Sequence, residues 1–491
     1  MSHEPTNERM QVDVAVIGAG SAGMVAHRQA SSHGATRVVM IEGGAYGTTC
    51  ARVGCMPSKL LIAAAEAAAA VRAAPEFGVH SGELRIDGAA VMQRVRRERD
   101  RFVASVVRSI DRLDPSERLE GWARFVGPNQ LAVTRPDGSE VEVAAKAIVI
   151  ATGSAPWIPP GLAGLGERLV TSDGVFELET LPRSIAVVGA GVIGLELGQA
   201  LARLGVETHL VDVGTRMPML RSAAMQDLAR ELFARELDLH LGVRELAGEP
   251  LDGPAGVRLR WTEGDGEPRS LDVELVLAAT GRRPQLARLD LAAAGVTLDE
   301  RGRPTGWDPR TGQLGKTAIF MAGDVTGDRP LLHEAAAEGR IAGINAARHP
   351  EVRAQPRYVP LGIAFTHPNL AVVGEVPSEG EGEAEDWGVG EVDYAKQGRA
   401  IVMGEAEGRV RLYAKRDCGT LIGAELLGPE VEHLAHLLAW AIQRRTSVPE
   451  ALAMPYYHPV LEEGLRTALQ QLGHALDLAG KPRPLDCGPG A

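Results

Sequence analysis

Apolar and polar positions along this chain fall into short blocks, and one block plan occurs twice. Val12 to Ile17 is a brief, mostly apolar run with the length of a buried strand. It leads into Gly18-Ala19-Gly20-Ser21-Ala22-Gly23 and then a stretch with helical spacing. A second apolar run, Val38 to Ile41, ends on the acidic Glu42. The plan returns with Ile185 to Val188, then Gly189-Ala190-Gly191-Val192-Ile193-Gly194, a helical Leu195 to Leu204, and His209-Leu210-Val211-Asp212. Strand, glycine turn, helix, strand is the signature of parallel βαβ units. The expected class is therefore α/β, with two Rossmann-like dinucleotide-binding domains.

The glycine spacing has a physical reason. The first glycine (Gly18, Gly189) permits a tight turn, and the second (Gly20, Gly191) lets backbone amides approach a pyrophosphate. The third (Gly23, Gly194) lets helix and strand pack closely, with phosphate at the helix N-terminus. Glu42 and Asp212, closing the next strands, accept hydrogen bonds from a ribose diol. One such motif is weak evidence, whereas two with their acids in place are specific. Two sites imply two dinucleotides, and FAD first with a nicotinamide second suits electron transfer. A carboxylate at Asp212 repels a 2′-phosphate, which favours NAD over NADP; Arg216 reads as a solvated loop cation.

Between the two units lies Gly47-Thr48-Thr49-Cys50-Ala51-Arg52-Val53-Gly54-Cys55-Met56-Pro57-Ser58-Lys59, ahead of an Ala-rich helical stretch from Leu60 to Arg72. One turn can bring sulfurs at this spacing to bonding distance. A helix start favours the thiolate form that a reactive cysteine needs. Zinc would want two more ligands at similar spacing, and no second cluster is present, so no metal is expected. Cys418, in an apparent turn, and Cys487 read as bystanders.

Composition narrows the setting. The chain has 491 residues, room for about three domains. Its formal charge is -12 and no Lys/Arg block stands out, which argues against nucleic acid or an anionic membrane surface. No 18-residue apolar run is free of charge, so no membrane span is expected. Four cysteines in so long a chain make no secretory disulfide framework, and the expectation is cytoplasmic residence.

From Val12 to Leu472 these motifs resemble the flavin disulfide reductases, the class I pyridine nucleotide-disulfide oxidoreductases. The family's cysteine box reads Gly-Gly-Thr-Cys-Leu-Asn-x-Gly-Cys-x-Pro-Ser/Thr-Lys; here Thr48, Ala51 and Arg52 stand for Gly, Leu and Asn. The resemblance implies that Cys50 is the interchange thiol and Cys55 the thiolate against the flavin. It implies that Lys59 sits by the flavin paired with Glu196, and it adds Thr49 to the FAD-binding set. Ala151-Thr152-Gly153 and Ala279-Thr280-Gly281 resemble the two crossings between FAD and NAD domains, Gly281 serving NAD. Gly323-Asp324 resembles the turn whose aspartate binds the FAD ribityl chain. His458-Pro459-Val460-Leu461-Glu462-Glu463 resembles the family's dyad, with His458 as base, Glu463 as its orienting partner and Glu462 solvated.

The implied organisation is an FAD domain in two parts (1–153 and 281–347), an NAD domain (154–280), a C-terminal α+β dimerisation domain (348–473) and a flexible tail (474–491). Residues 379–385 read as an acidic loop. A homodimer with shared active sites follows from the resemblance. Within the family, Val192, Asp212 and Leu331-Leu332-His333-Glu334-Ala335-Ala336-Ala337-Glu338-Gly339 favour the dihydrolipoamide dehydrogenase type. That type oxidises dihydrolipoyl groups with NAD. A mercuric reductase-like or other NAD(P)H-dependent disulfide reductase is the alternative; a flavin transhydrogenase or a non-catalytic subunit fits the intact cysteine pair and His458 less well.

Overall fold

The computed structural model describes residues 8–253, 256–264, 266–377 and 386–478. The acidic loop 379–385 and the tail from 479, with Cys487, lie outside the described residues. The chain divides into two compact units: 1–60, 94–157 and 281–358 in the first, 61–93, 158–280 and 359–491 in the second.

The first unit is built on a seven-stranded sheet. Glu8–Ile17 lies at its centre, parallel to Val38–Glu42 on one side and to Glu140–Ile150 on the other. The far edge of Glu140–Ile150 is shared: Gln130–Thr134 pairs antiparallel with its first half, and Ile319–Met321 pairs parallel with its second. Both faces of this centre are covered. Val14, Val16, Val149 and Phe320 pack on one side, and Ala15, Ile17, Ile148 and Ile150 on the other. A strand buried on both faces reads as a continuous apolar run, which is why these segments stood out in the sequence. The helices Ser21–Ser32 and Leu332–Arg348 pack on each other over the first of these faces.

Among the described residues, the second unit contains three sheets. A five-stranded parallel sheet runs in the order Asp238–Leu241, Glu207–Asp212, Ser184–Val188, Leu275–Ala278, Leu169–Thr171. The second copy of the block plan lies at its middle. An antiparallel ribbon of Arg244–Pro250, Val257–Thr262 and Pro268–Val273 follows. The C-terminal sheet is antiparallel, ordered Leu361–Ala364, Asn369–Gly374, Leu421–Gly428, Arg409–Lys415, Trp387–Asp393. Helices Val431–Gln443 and Glu463–Ala475 pack on it. The last helix therefore runs to Ala475, past the expected start of the tail.

One buried carboxylate connects parts of this unit. Glu425, fully buried in the C-terminal sheet, accepts the amide hydrogens of Arg221 and Ser222, just before helix Ala223–Phe233. The Tyr413 hydroxyl donates to its other oxygen at 2.7 Å. Each oxygen thus has a partner, as a buried anion requires.

By length and composition alone the stretch Thr49–Phe77 would pass for a membrane span, but it is broken at Gly54, whose backbone is not helical. Arg52, Lys59, Glu66, Arg72 and Glu76 interrupt it, and alanine makes up about half of its apolar residues.

Candidate active site

The two glycine loops share one backbone geometry. Gly18 and Gly189 both have φ of +110°, and a side chain there would strike the carbonyls of Ala151 and Ala279, at 2.3 and 2.4 Å. At Gly23 and Gly194 a Cβ would lie 1.8 Å from the carbonyl oxygens of Gly18 and Gly189. At Gly20 and Gly191 it would meet nothing within 4 Å. The loops are thus closed where helix meets strand and open where a pyrophosphate would approach, so they fit dinucleotides. The acids add a feature that spacing did not reveal: each ties its own loop. Glu42 accepts from the amides of Ala19 and Gly44, at 2.8 and 2.7 Å. Asp212 accepts from those of Ala190 and Gly214. Arg216 donates to the Arg221 carbonyl at 2.7 Å, so this cation is engaged by backbone rather than merely solvated.

Cys50 lies in a five-residue helix, Thr49–Val53, and Cys55 opens the long helix Cys55–Ala73. The start of the long helix, where the dipole stabilises a thiolate, therefore belongs to Cys55. The two are not joined by a disulfide in this structure; Cys55 is exposed and Cys50 half-buried. The Cys50 thiol is pushed up, first by its hydrogen bond to Cys55, then by burial and by charge on Cys55. Thr48, just before this turn, has φ 59° and ψ 150°. For a β-branched residue that conformation costs on the order of 1–3 kcal/mol. Its hydroxyl accepts from the Ala51 amide at 3.2 Å.

Gly153, with φ +69°, and Gly281, with φ +95°, both leave open space where a side chain would stand. The hydroxyl of Thr152 donates to the Gln285 carbonyl at 2.7 Å. Asp324 follows Gly323 at the end of strand Ile319–Met321 and accepts from the Ser154 hydroxyl at 2.8 Å. Arg282 in turn donates to the Ser154 hydroxyl and carbonyl, both at 2.9 Å.

Beneath this turn lies an ionic cluster that the sequence did not reveal. Glu334 and Glu338, one turn apart on helix Leu332–Arg348, are both buried. Arg357 donates to Glu334 at 3.0 Å, Glu338 at 2.8 Å and Asp328 at 2.6 Å, and Arg329 donates to Glu334 at 2.9 Å. Glu338 also accepts the Gly323 amide at 2.8 Å, and burial pushes its carboxyl up to about 7. Two glutamates at i and i+4 in an otherwise apolar helical stretch were the available signal.

In the second unit His458 is exposed, and its Nδ1 lies 3.0 and 3.1 Å from the carboxylate oxygens of Glu463, the first residue of the last helix. Glu463 also accepts the Val460 amide at 3.3 Å, and its hydrogen bond with His458 is the main reason its carboxyl is held below the usual range. Glu463 rather than Glu462 takes the imidazole, through Nδ1, and the rest of the His458 side chain is exposed. Glu196 is buried and accepts the Phe365 amide at 2.9 Å. Cys418 lies in its expected turn, 3.1 Å from the Thr420 hydroxyl. Among the described residues no cluster of His, Cys, Asp and Glu is disposed to hold a metal.

Two family models match the chain: pyridine nucleotide-disulphide oxidoreductase over residues 12–339, and the dimerisation domain of that family over 361–469. Dihydrolipoyl dehydrogenase 3 of Pseudomonas aeruginosa is 32% identical over 480 residues, covering 96% of this chain and 98% of its own length. Dihydrolipoyl dehydrogenase of Haloferax volcanii is 31% identical, covering 94% of this chain and 97% of its own. Among solved structures, LpdA from Mycobacterium tuberculosis superposes with a TM-score of 0.81 at 27% identity, over 94% of this chain and 100% of that one.

Proposed function

Because the chain belongs to the pyridine nucleotide-disulphide oxidoreductase family, we propose that it oxidises dihydrolipoyl groups to the lipoyl disulfide and reduces NAD, with Cys50 and Cys55 as its redox pair. It is an FAD- and NAD-dependent flavoprotein disulfide oxidoreductase of the dihydrolipoyl dehydrogenase type. The observation that carries the substrate reading is the pairing of the Cys50–Cys55 contact with the outward-facing His458–Glu463 dyad. Dithiol oxidation needs both a disulfide to receive the substrate sulfur and a base to take its proton.

FAD, cradled by Gly18, Gly20 and Gly23, Glu42, Thr49, Lys59, Ala151, Thr152, Gly153, Gly323 and Asp324, supplies the two-electron relay between thiols and nicotinamide when bound. The remaining steps belong to side chains. His458 Nε2 takes the proton of one substrate thiol, and Glu463 fixes the imidazole tautomer and stabilises its cation. The substrate thiolate attacks Cys50 of the oxidised pair, the Cys50–Cys55 bond breaks, and Cys55 leaves as thiolate. The second substrate thiol then attacks the mixed disulfide, releasing cyclic lipoyl disulfide and passing its proton to the Cys50 sulfur, so that the pair ends as a Cys50 thiol and a Cys55 thiolate. Gly189, Gly191, Gly194, Asp212 and Gly281 hold NAD, and Lys59 with Glu196 orients the flavin side of the centre.

The chain carries the family's dimerisation domain. In this reading it forms a homodimer in which His458 of one subunit serves the cysteine pair of the other. The domain limits 1–153, 154–280, 281–347 and 348–473 belong to the same reading. So does cytoplasmic residence, which the sparse cysteines support. The test is turnover of the purified yellow protein with NADH against lipoamide, oxidised glutathione and mercuric ion. Lipoamide should dominate by at least an order of magnitude; a larger rate with either of the others overturns the substrate assignment.

A further inference from the structure

We propose that Thr48 is a positioning residue for Cys50, clamping the loop before it onto the short turn that carries the thiol. The inference rests on the reading of Cys50 as the exchanging cysteine.

Thr49–Val53 is five residues long, and an isolated helical turn of that length does not persist, because nucleation fixes several residues for each hydrogen bond gained. At its far end it stops at Gly54, whose φ of -125° and ψ of -119° are not helical. What holds it is its near end. The Thr48 hydroxyl accepts from the Ala51 amide at 3.2 Å, and the Thr48 carbonyl accepts from the Arg52 amide at 3.1 Å. The Arg52 guanidinium reaches back to the Ala45 carbonyl at 3.2 Å. Its stem crosses Gly47, where a Cβ would come within 3.1 Å of Arg52 Cγ and Cδ.

Residues 45 to 48 are therefore tied to the cysteine turn by three hydrogen bonds, all of which involve Thr48 or Arg52. Both are departures from the cysteine box that the chain otherwise resembles. Glycine at 48 would adopt φ 59° freely but carries no hydroxyl. This chain accepts the strained backbone and gains the cap. The cap fixes where Cys50 points, and so the hydrogen bond it makes to Cys55.

The prediction concerns three full-length, FAD-loaded variants: Thr48→Ser, Thr48→Ala and Thr48→Gly. Serine keeps the hydroxyl and should retain native kcat with lipoamide within about two-fold. Alanine and glycine lose it, and kcat should fall about five-fold with KM and NADH–ferricyanide activity unchanged. Iodoacetamide alkylation of Cys50 in the dithiothreitol-reduced protein, read by peptide mass spectrometry, should move the other way. Alkylation joins sulfur to carbon and expels iodide, so it needs an exposed thiolate and no aligned partner. Freed from Cys55, the thiol should react about three-fold faster. Thr48→Gly also sheds the strain and should melt at or above the native temperature, whereas Thr48→Ala should melt below it.

Native kcat and native alkylation in both Thr48→Ala and Thr48→Gly would overturn the proposal. So would losses that track melting temperature alone, with Thr48→Gly unaffected. If the native enzyme does not turn over lipoamide, the functional reading fails, and the alkylation rates still decide the role of Thr48.

Discussion

His458 and Glu463 form a two-pronged pair, the imidazole Nδ1 lying 3.0 and 3.1 Å from the two carboxylate oxygens. If His458 is the base of the proposed reaction, His458→Ala should lower lipoamide turnover by about a hundred-fold or more. Glu463→Gln keeps the shape and loses the charge, and should fall by a smaller factor, about ten-fold. NADH–ferricyanide activity should be unchanged in both. Mixing His458→Ala with Cys50→Ser chains should restore lipoamide turnover once subunits exchange, since one of the two sites then has both groups.

The glycine loops separate folding from binding. Gly194→Ala places a methyl against the Gly189 carbonyl and should cost about 1–3 kcal/mol or more in a urea titration. Gly191→Ala meets nothing within 4 Å and should leave the unfolding midpoint in place while raising KM for NADH. A normal KM in Gly191→Ala would exclude this loop as the pyrophosphate site.

Coenzyme preference should centre on Asp212. The native enzyme is expected to favour NADH over NADPH in kcat/KM by at least about a hundred-fold, less than the bare Coulomb repulsion because solvent screens it. Asp212→Ala should narrow that ratio at least about ten-fold, chiefly by weakening NADH. It should not create strong NADPH binding, because Arg216 is held by the Arg221 carbonyl.

Glu338 makes stability depend on pH. Its folded carboxyl is raised from 4.5 to about 7, so between those values the folded state binds the extra proton. The stability from this group is fully present below about pH 4.5 and is lost as pH rises through 7. Compared with Glu338→Gln, the native protein should lose on the order of 2–3 kcal/mol between pH 4.5 and 8. Parallel urea midpoints for the two proteins across this range would falsify the assignment.

Much of the architecture was legible because it repeats. Both glycine motifs and their closing acids sit on parallel strands buried on two faces, where sequence and structure constrain each other most tightly. The cysteine spacing was legible because it rests on short-range geometry, and Glu463 was preferred to Glu462 because the His-Pro-x-x-x-Glu spacing resembles the family's dyad. The Arg357 cluster was not legible, because Arg357 lies 19 residues beyond Glu338 and nothing local couples them. The backbone of Thr48 was also hidden, since threonine gives no sign of a positive φ. Asp212 and Glu42 were read as ribose ligands only; their hold on Ala190 and Ala19 depends on how strand and loop meet in space.

Glu425 carries a consequence for how the second unit comes apart. Its carboxylate belongs to the C-terminal sheet, yet it anchors the backbone ahead of a helix that begins two hundred residues earlier in the chain. Opening the helix side alone leaves one Glu425 oxygen buried without its partners, and opening the sheet alone leaves the Arg221 and Ser222 amides without their acceptor, so neither has a cheap route to unfold alone. The segments 158–280 and 359–478 should therefore share one melting transition and one slow class of exchanging amides. Coenzyme bound at Gly189–Gly194 would then delay exchange in the C-terminal strands, and a Glu425→Gln variant should uncouple the two.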